Sequence, residues 1–446
     1  MVDPVILWFR QDLRLSDNPA LTQAVATGQP VLPIYILDDT NAGDWKMGGA
    51  SRVWLHHSLA ALNTRLNGQL RLFKGNPETL LPALIAATSA SKIFWNRCYE
   101  PWRIARDTRL KDTLPIPCHS ENGSVLWEPW TIRKKDSTPY RVFTPFYRNG
   151  CLSAPPPRTP LPEPAHIPLY NADCPSALPL ERLALLPTSP RWDTGMMSYW
   201  QVGEIAAQKR LDHFLDQGLK GYKDGRNFPE KPHTSRLSPH LHFGEISPHQ
   251  VWAASSYAGI HHKAESDLDC FHSELGWREF AHALLYDIPS LPEKPLNPKF
   301  ESFDWAGVDP DLLHRWQTGR TGYPIVDAGL RELWATGYIH NRVRMIVASF
   351  LVKDLRYHWR HGEDWFWDTL VDANLANNAA SWQWVAGCGA DAAPYFRIFN
   401  PTTQGEKFDP NGTYIRQWAP DSARIRPIVD HAKARTAALE ALAATK

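Results

Sequence analysis

Val5-Ile6-Leu7-Trp8-Phe9 is a short, wholly apolar run, which is typical of a strand buried on both faces of a parallel sheet. Similar runs recur along the first part of the chain, and residues 18–26 and 52–66 between them carry apolar side chains at helical spacing. The further strand-like runs are residues 31–36, 70–73 and 92–95. This alternation predicts an α/β, doubly wound (Rossmann-like) domain over residues 1–130.

Proline marks the end of that domain, because seven prolines fall between residues 155 and 168. Helices and central strands do not tolerate this density, so residues 131–198 are predicted to be an extended inter-domain linker. Beyond it, strand-like alternation is scarce, and segments such as residues 328–351 have helical spacing. Residues 199–446 are therefore predicted to form an all-α domain.

Composition bears on several classes of protein. No apolar run approaches about 20 residues, so no membrane span is expected. The six cysteines are scattered without a Cys-x-x-Cys pair, which favours reduced thiols, a cytoplasmic location and no metal site. The net charge of +1 leaves nucleic-acid binding open, since the clustering of basic residues decides it. No Gly-x-Gly-x-x-Gly follows the first strand, so an ordinary dinucleotide site is not expected there.

Two segments of the second half concentrate polar and aromatic side chains. Residues 234–239 (TSRLSP) offer hydroxyls, backbone N–H groups and an arginine at a helix start, which suits a phosphate, although a simple N-cap is the commoner reason for Thr-Ser there. Residues 271–280 (FHSELGWREF) place Glu274, Trp277 and Arg278 on one helical face. That face suits recognition of a base with imide groups or, equally, a surface ion pair on an amphipathic helix.

Two later segments have the same character. Asn341, Arg342 and Met345 lie at similar spacing, and Arg342 and Arg344 suit either phosphate contacts or a solvated helical face. Residues 371–384 (VDANLANNAASWQW) supply donors and acceptors matched to the edge of a heterocyclic ring and end in two tryptophans. A helix interior normally avoids so many Asn and Asp residues, so this segment indicates ligand contact.

The chain resembles the photolyase–cryptochrome family, and within it the bacterial class I cyclobutane pyrimidine dimer photolyases most of all. The stretches that carry the resemblance are WFRQDLRLSDNPAL, YKDGRNFP, TSRLSP, ELGWREF, GRTGYPIVDAGLREL, HNRVRMIVASFLVKDLRYHW, NNAASWQW and DAAPYFRIFNPTTQGEKFD. They follow one another in the family's order over nearly the whole chain. The resemblance implies an N-terminal domain suited to a light-harvesting antenna and an all-α C-terminal domain that binds one FAD non-covalently.

The resemblance also implies roles for individual residues, in three groups. FAD contacts are expected from Tyr222, Thr234, Ser235, Arg236, Leu237, Ser238, Phe271, Asp372, Ala373, Asn374 and Asn378. Contacts with DNA and the lesion are expected from Arg226, Glu274, Trp277, Arg278, Asn341, Arg342, Met345, Trp384, Arg397, Gln404 and Lys407. Catalytic roles are expected for Glu274, Asn341 and Asn378, and for Trp305, Trp359 and Trp382 as an electron-transfer chain to the flavin.

Within the family, the resemblance implies a deoxyribodipyrimidine photo-lyase, a monomeric carbon–carbon lyase acting on UV-damaged DNA. Photolyases for the (6-4) lesion carry a second histidine where this chain has Asn341, and signalling cryptochromes usually replace Asn378. A blue-light-sensing signalling flavoprotein is the alternative. Arg103 stands where folate-binding relatives carry Glu, so a folate antenna is not expected and a deazaflavin is the alternative.

Overall fold

A five-stranded parallel sheet forms the N-terminal half of the chain, with the strand order β3-β2-β1-β4-β5. The computed structural model describes residues 3–172, 174–392 and 396–445. The strands are β1 (Val5–Phe9), β2 (Val31–Leu37), β3 (Arg71–Lys74), β4 (Lys92–Asn96) and β5 (Cys118–Glu121). Val5 of β1 pairs with Val31 on one side and with Lys92 on the other. The predicted doubly wound order, which proceeds outward from β1 in both directions, is confirmed.

Both faces of the sheet are covered by helices, which explains the wholly apolar run at β1. Successive side chains of a strand point to opposite faces. Leu7 belongs to an apolar cluster with α1 (Pro19–Ala26) and α2 (Gly49–Arg65). Trp8 belongs to the cluster on the opposite face, with α3 (Pro77–Thr88) and α4 (Pro101–Thr113). Every position of β1 is therefore buried.

The sequence analysis missed β5, the edge strand. Its four residues are Cys-His-Ser-Glu, and none of them is fully buried. The strand forms because it pairs with β4, from Ile93 opposite Cys118 to Asn96 opposite Glu121. An edge strand that is solvated on one side carries no apolar pattern that would predict it.

The proline-rich connection lies against the sheet. The Tyr170 N–H donates to the carbonyl oxygen of Val31, and the Leu178 N–H donates to that of Leu72, each over 2.8 Å. These contacts form isolated bridges beside β2 and β3. The connection is thus extended, as its prolines require, and hydrogen-bonded to the domain that it leaves.

Helices make up the second half, and no strand lies beyond β5 in the part of the chain that the structure describes. The helices after α4 are α5 (Phe143–Pro145), α6 (Asp193–Met197), α7 (Glu204–Gln217), α8 (Tyr222–Gly225), α9 (Ser238–Phe243), α10 (Pro248–His261), α11 (Glu265–Asp287), α12 (Pro310–Gln317), α13 (Pro324–Thr336), α14 (Asn341–Ser349), α15 (Trp359–Thr369), α16 (Leu375–Ala386), α17 (Pro401–Phe408), α18 (Thr413–Trp418) and α19 (His431–Ala444). None of the described helices is both long and apolar enough to cross a membrane.

The helical stretch predicted over residues 328–351 is two helices, α13 and α14. The first ends because Gly337 adopts a left-handed φ of 67°. The second begins at His340, whose side chain accepts a hydrogen bond from the Arg342 N–H. A single turn of π-helix, Phe350–Asp354, continues α14. Apolar spacing alone did not reveal this break, because both helices bury residues of the same core.

One buried arginine joins the sheet to the helical half. The Arg14 guanidinium, which is fully buried, donates to the carbonyl oxygens of Asp17 at 2.7 Å, Gly123 at 2.7 Å and Gly244 at 2.9 Å. The Leu13 N–H adds a bond to the Phe243 carbonyl oxygen at 3.1 Å. Since Phe243 ends α9, these bonds set the position of that helix relative to β1.

Substitution of Gly244 should destabilise this junction strongly. Gly244 has a φ of 66°, and a Cβ there would lie 2.0 Å from the carbonyl oxygen of Gln11. Gly244→Ala therefore combines backbone strain with a backbone clash, and we expect the free energy of unfolding to fall by about 3 kcal/mol or more. Gly28→Ala is the matched control, because Gly28 has a φ of 71° with nothing within 4 Å. Equal losses for the two variants in chemical denaturation would contradict the clash.

Candidate functional site

A cavity of about 570 Å³ lies in the helical half, between α8, α9, α11, α14 and α16. This volume is within the range of small-molecule and cofactor sites. Of the residues proposed for FAD, the lesion or the electron-transfer chain, those that line it are Tyr222, Arg226, Ser235, Leu237, Ser238, Phe271, Glu274, Trp277, Arg278, Asn341, Arg342, Met345, Asp372, Ala373, Asn374, Asn378, Trp382 and Trp384. The cavity therefore brings together residues from segments more than 150 positions apart in the sequence.

Asp372 organises one end of the cavity. Its Oδ2 accepts hydrogen bonds from the Ser238 hydroxyl at 2.5 Å and from Arg344 at 2.8 Å. Its Oδ1 is buried and has no hydrogen-bond partner among the described residues. A buried acceptor without a partner costs about 1–3 kcal/mol, so this atom is suited to a donor on a bound molecule.

Two asparagines of the 371–384 segment also use part of their hydrogen-bonding capacity within the protein. Asn374 is the N-cap of α16, and its Oδ1 accepts from the Asn377 N–H at 3.1 Å. Asn378 donates from Nδ2 to the carbonyl oxygen of Glu363 at 3.0 Å. The Nδ2 group of Asn374 and the Oδ1 atom of Asn378 remain to bind a ligand in the cavity. The high Asn content that indicated ligand contact thus serves helix capping as well.

The residues proposed to hold the FAD phosphates separate into two groups. Ser235, Leu237 and Ser238 line the cavity, whereas Thr234 and Arg236 do not. The Arg236 guanidinium carbon lies 4.6 Å from the ring centre of Trp200 and 4.8 Å from that of Tyr338, in cation–π contact. No side chain caps α9.

Trp277 and Trp384 are half-buried at the cavity. The Trp277 ring stacks on Phe143, with ring centres 3.8 Å apart and planes at 10°, so its orientation is determined by packing. Trp384 packs against Arg397, whose guanidinium carbon is 5.1 Å from its ring centre. Two indoles with one face free form an apolar surface for a flat or folded apolar ligand.

Arg278 lies deeper than a contact to DNA would require. Its side chain is 13% exposed, and its guanidinium pairs with the buried Glu279 at 3.1 Å. Burial raises the pKa of Glu279 to about 7, although the positive charge of Arg278 partly lowers that pKa. This location favours a contact with a ligand bound in the cavity rather than with a DNA phosphate outside it.

Several basic residues proposed for DNA lie at the cavity mouth or outside it. Arg342 donates to Asn227 at 2.6 Å, and its guanidinium carbon lies 4.5 Å from the ring centre of Phe408. Burial and the nearby Arg226 lower the pKa of Arg342. Arg397 and Lys407 are exposed and Gln404 is half-buried, and all three lie outside the cavity lining. Arg397 contacts the cavity residue Trp384, and Lys407 and Arg342 both contact the Phe408 ring.

Of the proposed electron-transfer tryptophans, Trp305 and Trp359 are linked through His358, and Trp382 lies at the cavity. Trp382 lines the cavity and packs edge-on against Phe366 at 5.0 Å and Trp316 at 6.4 Å. On the other side of α15, Trp305 contacts His358 at 5.1 Å, and His358 contacts Trp359 at 5.2 Å. The sequence analysis did not single out Trp316, which is fully buried.

A second, much smaller cavity lies at the carboxyl ends of β1 and β2, where ligands bind in open α/β sheets. Arg103 and Asp38 line it. Arg103 is 3.6 Å from Glu100, whose buried Oε2 has no hydrogen-bond partner among the described residues. The carboxylates of Asp38 and Glu100 lie close to Arg103 and could accept hydrogen bonds from a pterin amino group. The presence of Arg103 therefore does not by itself exclude folate.

Comparisons with known proteins extend over the whole chain. Residues 5–165 match the DNA photolyase family, and residues 271–426 match the FAD binding domain of DNA photolyase. A deoxyribodipyrimidine photo-lyase from Agrobacterium fabrum is 46% identical and covers 99% of this chain and 98% of its own. Cryptochrome-1 from Arabidopsis thaliana is 38% identical over 94% of this chain and 63% of its own.

Solved structures agree with these sequence matches. A bacterial class III photolyase from Agrobacterium tumefaciens superposes with a TM-score of 0.94 at 45% identity, covering 100% of this chain and 98% of that one. An archaeal photolyase from Sulfolobus tokodaii with two FAD molecules superposes with a TM-score of 0.80 at 28% identity, covering 99% of each chain. The chain belongs to the photolyase–cryptochrome family.

Membership of the photolyase–cryptochrome family confirms the predicted fold, with its α/β domain and its helical FAD-binding domain. One expectation is corrected, because the resemblance was placed nearest the class I photolyases. The photolyase that superposes over the full chain is of class III. The motifs quoted from the sequence identify the family, but they do not separate these two classes.

The cavity fits the flavin that the photolyase–cryptochrome family implies. Its volume, the free Oδ1 of Asp372 and the half-buried cation Arg344 suit a large polar cofactor. The sequence analysis missed His242, which lines the cavity with an unpartnered Nδ1 among the described residues. Burial lowers the pKa of His242 to about 4, so its ring is neutral and able to exchange a hydrogen bond with a ligand.

Glu363 is a further residue that the sequence analysis did not single out, although its carbonyl oxygen orients Asn378. Its carboxylate is fully buried, has no hydrogen-bond partner among the described residues and lies 3.5 Å from Arg360. Burial raises its pKa to about 9, against the influence of Arg360, so the group is protonated at neutral pH. Nothing in its local sequence, which is an ordinary amphipathic helix, signals this.

Glu363→Gln should become more stable than the natural protein as the pH rises. The folded state retains a proton that the unfolded state releases above its ordinary pKa of 4.5, so the natural protein loses stability between about pH 4.5 and 9. The difference should grow by at most about 1.4 kcal/mol per pH unit. Melting temperatures between pH 5 and 8 test this, with the exposed Glu301→Gln as control. A constant difference across that range would show that Glu363 ionises normally.

Proposed function

We propose that this protein repairs cyclobutane pyrimidine dimers in UV-damaged DNA with light, as a deoxyribodipyrimidine photo-lyase holding one non-covalent FAD. The observation that carries this proposal is that one cavity contains both proposed sets of residues. Asp372 and Asn378 belong to the set for the flavin, and Glu274 and Trp277 belong to the set for the lesion. Three deoxyribodipyrimidine photo-lyases that are 36–46% identical to this chain add support.

The side chains at the open end of the cavity suit a dimer that has been flipped out of the duplex. Such a lesion is already poorly stacked, which lowers the cost of flipping it. Trp277 and Trp384 would hold its apolar face. Glu274 would accept a hydrogen bond from N3–H of one pyrimidine and, in its carboxylic acid form, donate to the carbonyl oxygen, where negative charge develops during ring opening.

The cavity residues divide the chemistry between them. FAD, when bound in its reduced form and excited by light, supplies an electron to the dimer and takes it back after the ring opens. Asp372 and Arg344 would orient the polar part of the cofactor, and Asn378 would present an amide oxygen to it. The apolar lining, including Phe271, would keep water away. No net redox change results, so the reaction is a lyase reaction.

Cyclobutane dimers, rather than (6-4) lesions, fit the side chains at the lesion end. Asn341 and Met345 line this part of the cavity and neither can supply a proton in the way a histidine can. His340 is adjacent in sequence but is buried, and burial lowers its pKa to about 3. It therefore remains neutral at physiological pH.

A second chromophore would bind at the ends of β1 and β2 only if the small cavity there widened, because its volume of about 30 Å³ is far below that of a cofactor site. Trp8, Trp45 and Trp102 line it, and indole faces suit a flat aromatic molecule. The photolyase with two FAD molecules supports a second chromophore in a relative of this chain. A deazaflavin remains our expectation for its identity.

Trp382→Phe should abolish light-driven reduction of the bound flavin while leaving repair by chemically pre-reduced enzyme intact. Trp382 is the proposed tryptophan that lines the cavity, so electrons from Trp359 and Trp305 would have to pass through it. Repair itself needs no electron from the protein. Flavin absorbance under illumination and repair after dithionite reduction test the two steps. Normal photoreduction in the variant would show that another side chain, such as Trp316, is the donor.

Glu274→Ala should lower the repair yield per absorbed photon more than it weakens dark binding of dimer-containing DNA. The carboxyl group stabilises charge that exists only while the ring opens. Loss of one preorganised partner costs about 3 kcal/mol of transition-state stabilisation, which competition with back electron transfer should reduce in the measured yield. Illuminated assays with reduced flavin and dark binding measurements provide the comparison.

The same assay on two oligonucleotides tests the choice of lesion. We expect the natural protein to restore the cyclobutane dimer and to leave a (6-4) lesion unchanged. The opposite result would assign the protein to the other repair branch. Failure to restore either lesion with fully reduced flavin would favour the signalling flavoprotein, for which the likeness to Arabidopsis cryptochrome-1 is the supporting observation.

A further inference from the structure

One arginine contacts the middle tryptophan of the proposed electron-transfer chain. The guanidinium carbon of Arg360 lies 5.9 Å from the ring centre of Trp359, which is fully buried. In the part of the chain that the structure describes, no other cation is in cation–π contact with Trp359, Trp305 or Trp382. The proposed chain therefore has a positive charge beside its middle member and none in contact with the other two.

The position of this guanidinium is set by contacts with both halves of the protein. Its carbon also lies 5.3 Å from the ring centre of Trp45 in the α/β domain, so two indoles share the cation. Trp45 in turn packs edge-on against Trp367, with ring centres 5.9 Å apart. Nη1 of Arg360 donates to the carbonyl oxygen of Pro292 at 2.6 Å. The charge is thus held in place before any electron moves, which is the condition for an electrostatic effect without reorganisation.

Two carboxyl groups approach Arg360, but they do not cancel its charge. Glu363 lies 3.5 Å away, and burial raises its pKa to about 9, so it is neutral at neutral pH. Asp364 lies 4.0 Å away and is 62% exposed, so solvent screens its charge. His358 packs against Trp359 at 5.2 Å and is also neutral, because burial lowers its pKa to about 4. A net positive charge therefore remains beside Trp359.

Trp359 has a neighbour in the proposed chain on each side. On the outer side, His358 lies between Trp359 and Trp305, at 5.2 Å and 5.1 Å from their ring centres, and Trp305 is half-buried. On the inner side, Trp382 lies against Gly362, one helical turn along α15 from Trp359, because a Cβ on Gly362 would be 2.0 Å from the Trp382 ring. A radical cation on Trp359 can therefore move outward or return inward.

We propose that Arg360 is a positioning residue for flavin photoreduction, which prevents the radical cation from remaining on Trp359 and directs it outward to Trp305. One electron passes from Trp305 to the Trp359 radical cation, so Trp305 is oxidised, Trp359 is restored and no atom is transferred. The Trp305 radical cation then loses its indole N–H proton to water. This inference rests on the proposed function, because it assumes the electron-transfer chain to a bound FAD.

The charge of Arg360 should have opposite effects on the two steps. It opposes arrival of the radical cation on Trp359 from Trp382, and it favours departure to Trp305, because like charges repel. Removal of the charge should therefore stabilise the radical cation on Trp359. A residue that served packing alone would not give this pattern, since loss of a packing contact has no preferred sign for a charged intermediate.

Trp305→Phe isolates the effect, because the radical cation then stops on Trp359 and has to return to Trp382. In this background, Arg360→Gln should lengthen the lifetime of the Trp359 radical cation by about threefold or more, since a unit charge about 6 Å away has this effect even at the dielectric constant of water. Arg360→Lys retains the charge but not the planar guanidinium, and it should leave the lifetime close to that of the background. Transient absorption after a laser pulse measures the lifetime and needs no DNA.

Two further variants complete the test in the same background. Arg356→Gln is the control for loss of a positive charge elsewhere, because Arg356 pairs with Asp304 at 3.2 Å and has no cation–π contact with Trp359. It should leave the lifetime unchanged. Asp364→Asn removes the exposed carboxylate near Arg360 and should shorten the lifetime, which is the opposite of the effect of Arg360→Gln. Flavin absorbance verifies that each variant is loaded.

A longer lifetime for Arg360→Gln alone supports the proposal. An equal change in Arg360→Gln and Arg360→Lys, a shorter lifetime in Arg360→Gln, or no change in either overturns it. If Arg360→Gln binds no flavin, Asp364→Asn decides, and an unchanged or longer lifetime in that variant overturns the proposal. Absence of flavin from the natural protein would overturn the proposed function together with this inference. The expected lifetimes in a protein that repairs neither lesion would contradict the proposed function alone.

Discussion

A buried guanidinium shared among three backbone segments holds the two halves of this protein in one arrangement. Arg14 binds carbonyl oxygens at Asp17, Gly123 and Gly244, which follow β1, β5 and α9 respectively. Burial lowers its pKa, so these dipoles and nearby carboxylates have to stabilise the charge. From Gly244 the constraint passes along α9 to Ser238 and hence to Asp372 at the cavity. Geometry at the candidate site therefore depends on a contact made far from it.

The sequence predicted those parts of the fold that local pattern determines. The four apolar strands and the helices beside them follow from periodicity, since each is buried on the faces that its apolar residues indicate. β5 and the break at Gly337 depend on pairing and packing with distant segments, which local pattern does not contain. The same distinction applies to the site. Asp372 and Asn378 were predicted through family motifs, whereas the significance of Glu363 arises only because folding buries its carboxylate.

Tryptophan illustrates why composition is a weak guide to function. The chain contains 20 tryptophans, yet Trp54 and Trp95 are fully buried and serve packing. Among the described residues, three line the main cavity, of which Trp277 and Trp384 are half-buried. Their placement, rather than their number, distinguishes a ligand surface from a core.

The connection between the halves has a consequence for how a nucleic acid would be deformed. Tyr170 and Leu178 bind β2 and β3, and Arg14 bonds the halves directly, so hydrogen bonds among the described residues hold the connection to the sheet and the two halves to each other. The cavity is already open in this structure, so movement of the protein around a base would contribute little energy to extracting that base from the duplex. On the proposed function, nearly all the work of unstacking and rotating a nucleotide falls on the DNA. Sites whose stacking is already weakened then have the smallest elastic penalty, and discrimination comes from the stiffness of the duplex before any side chain contacts the base.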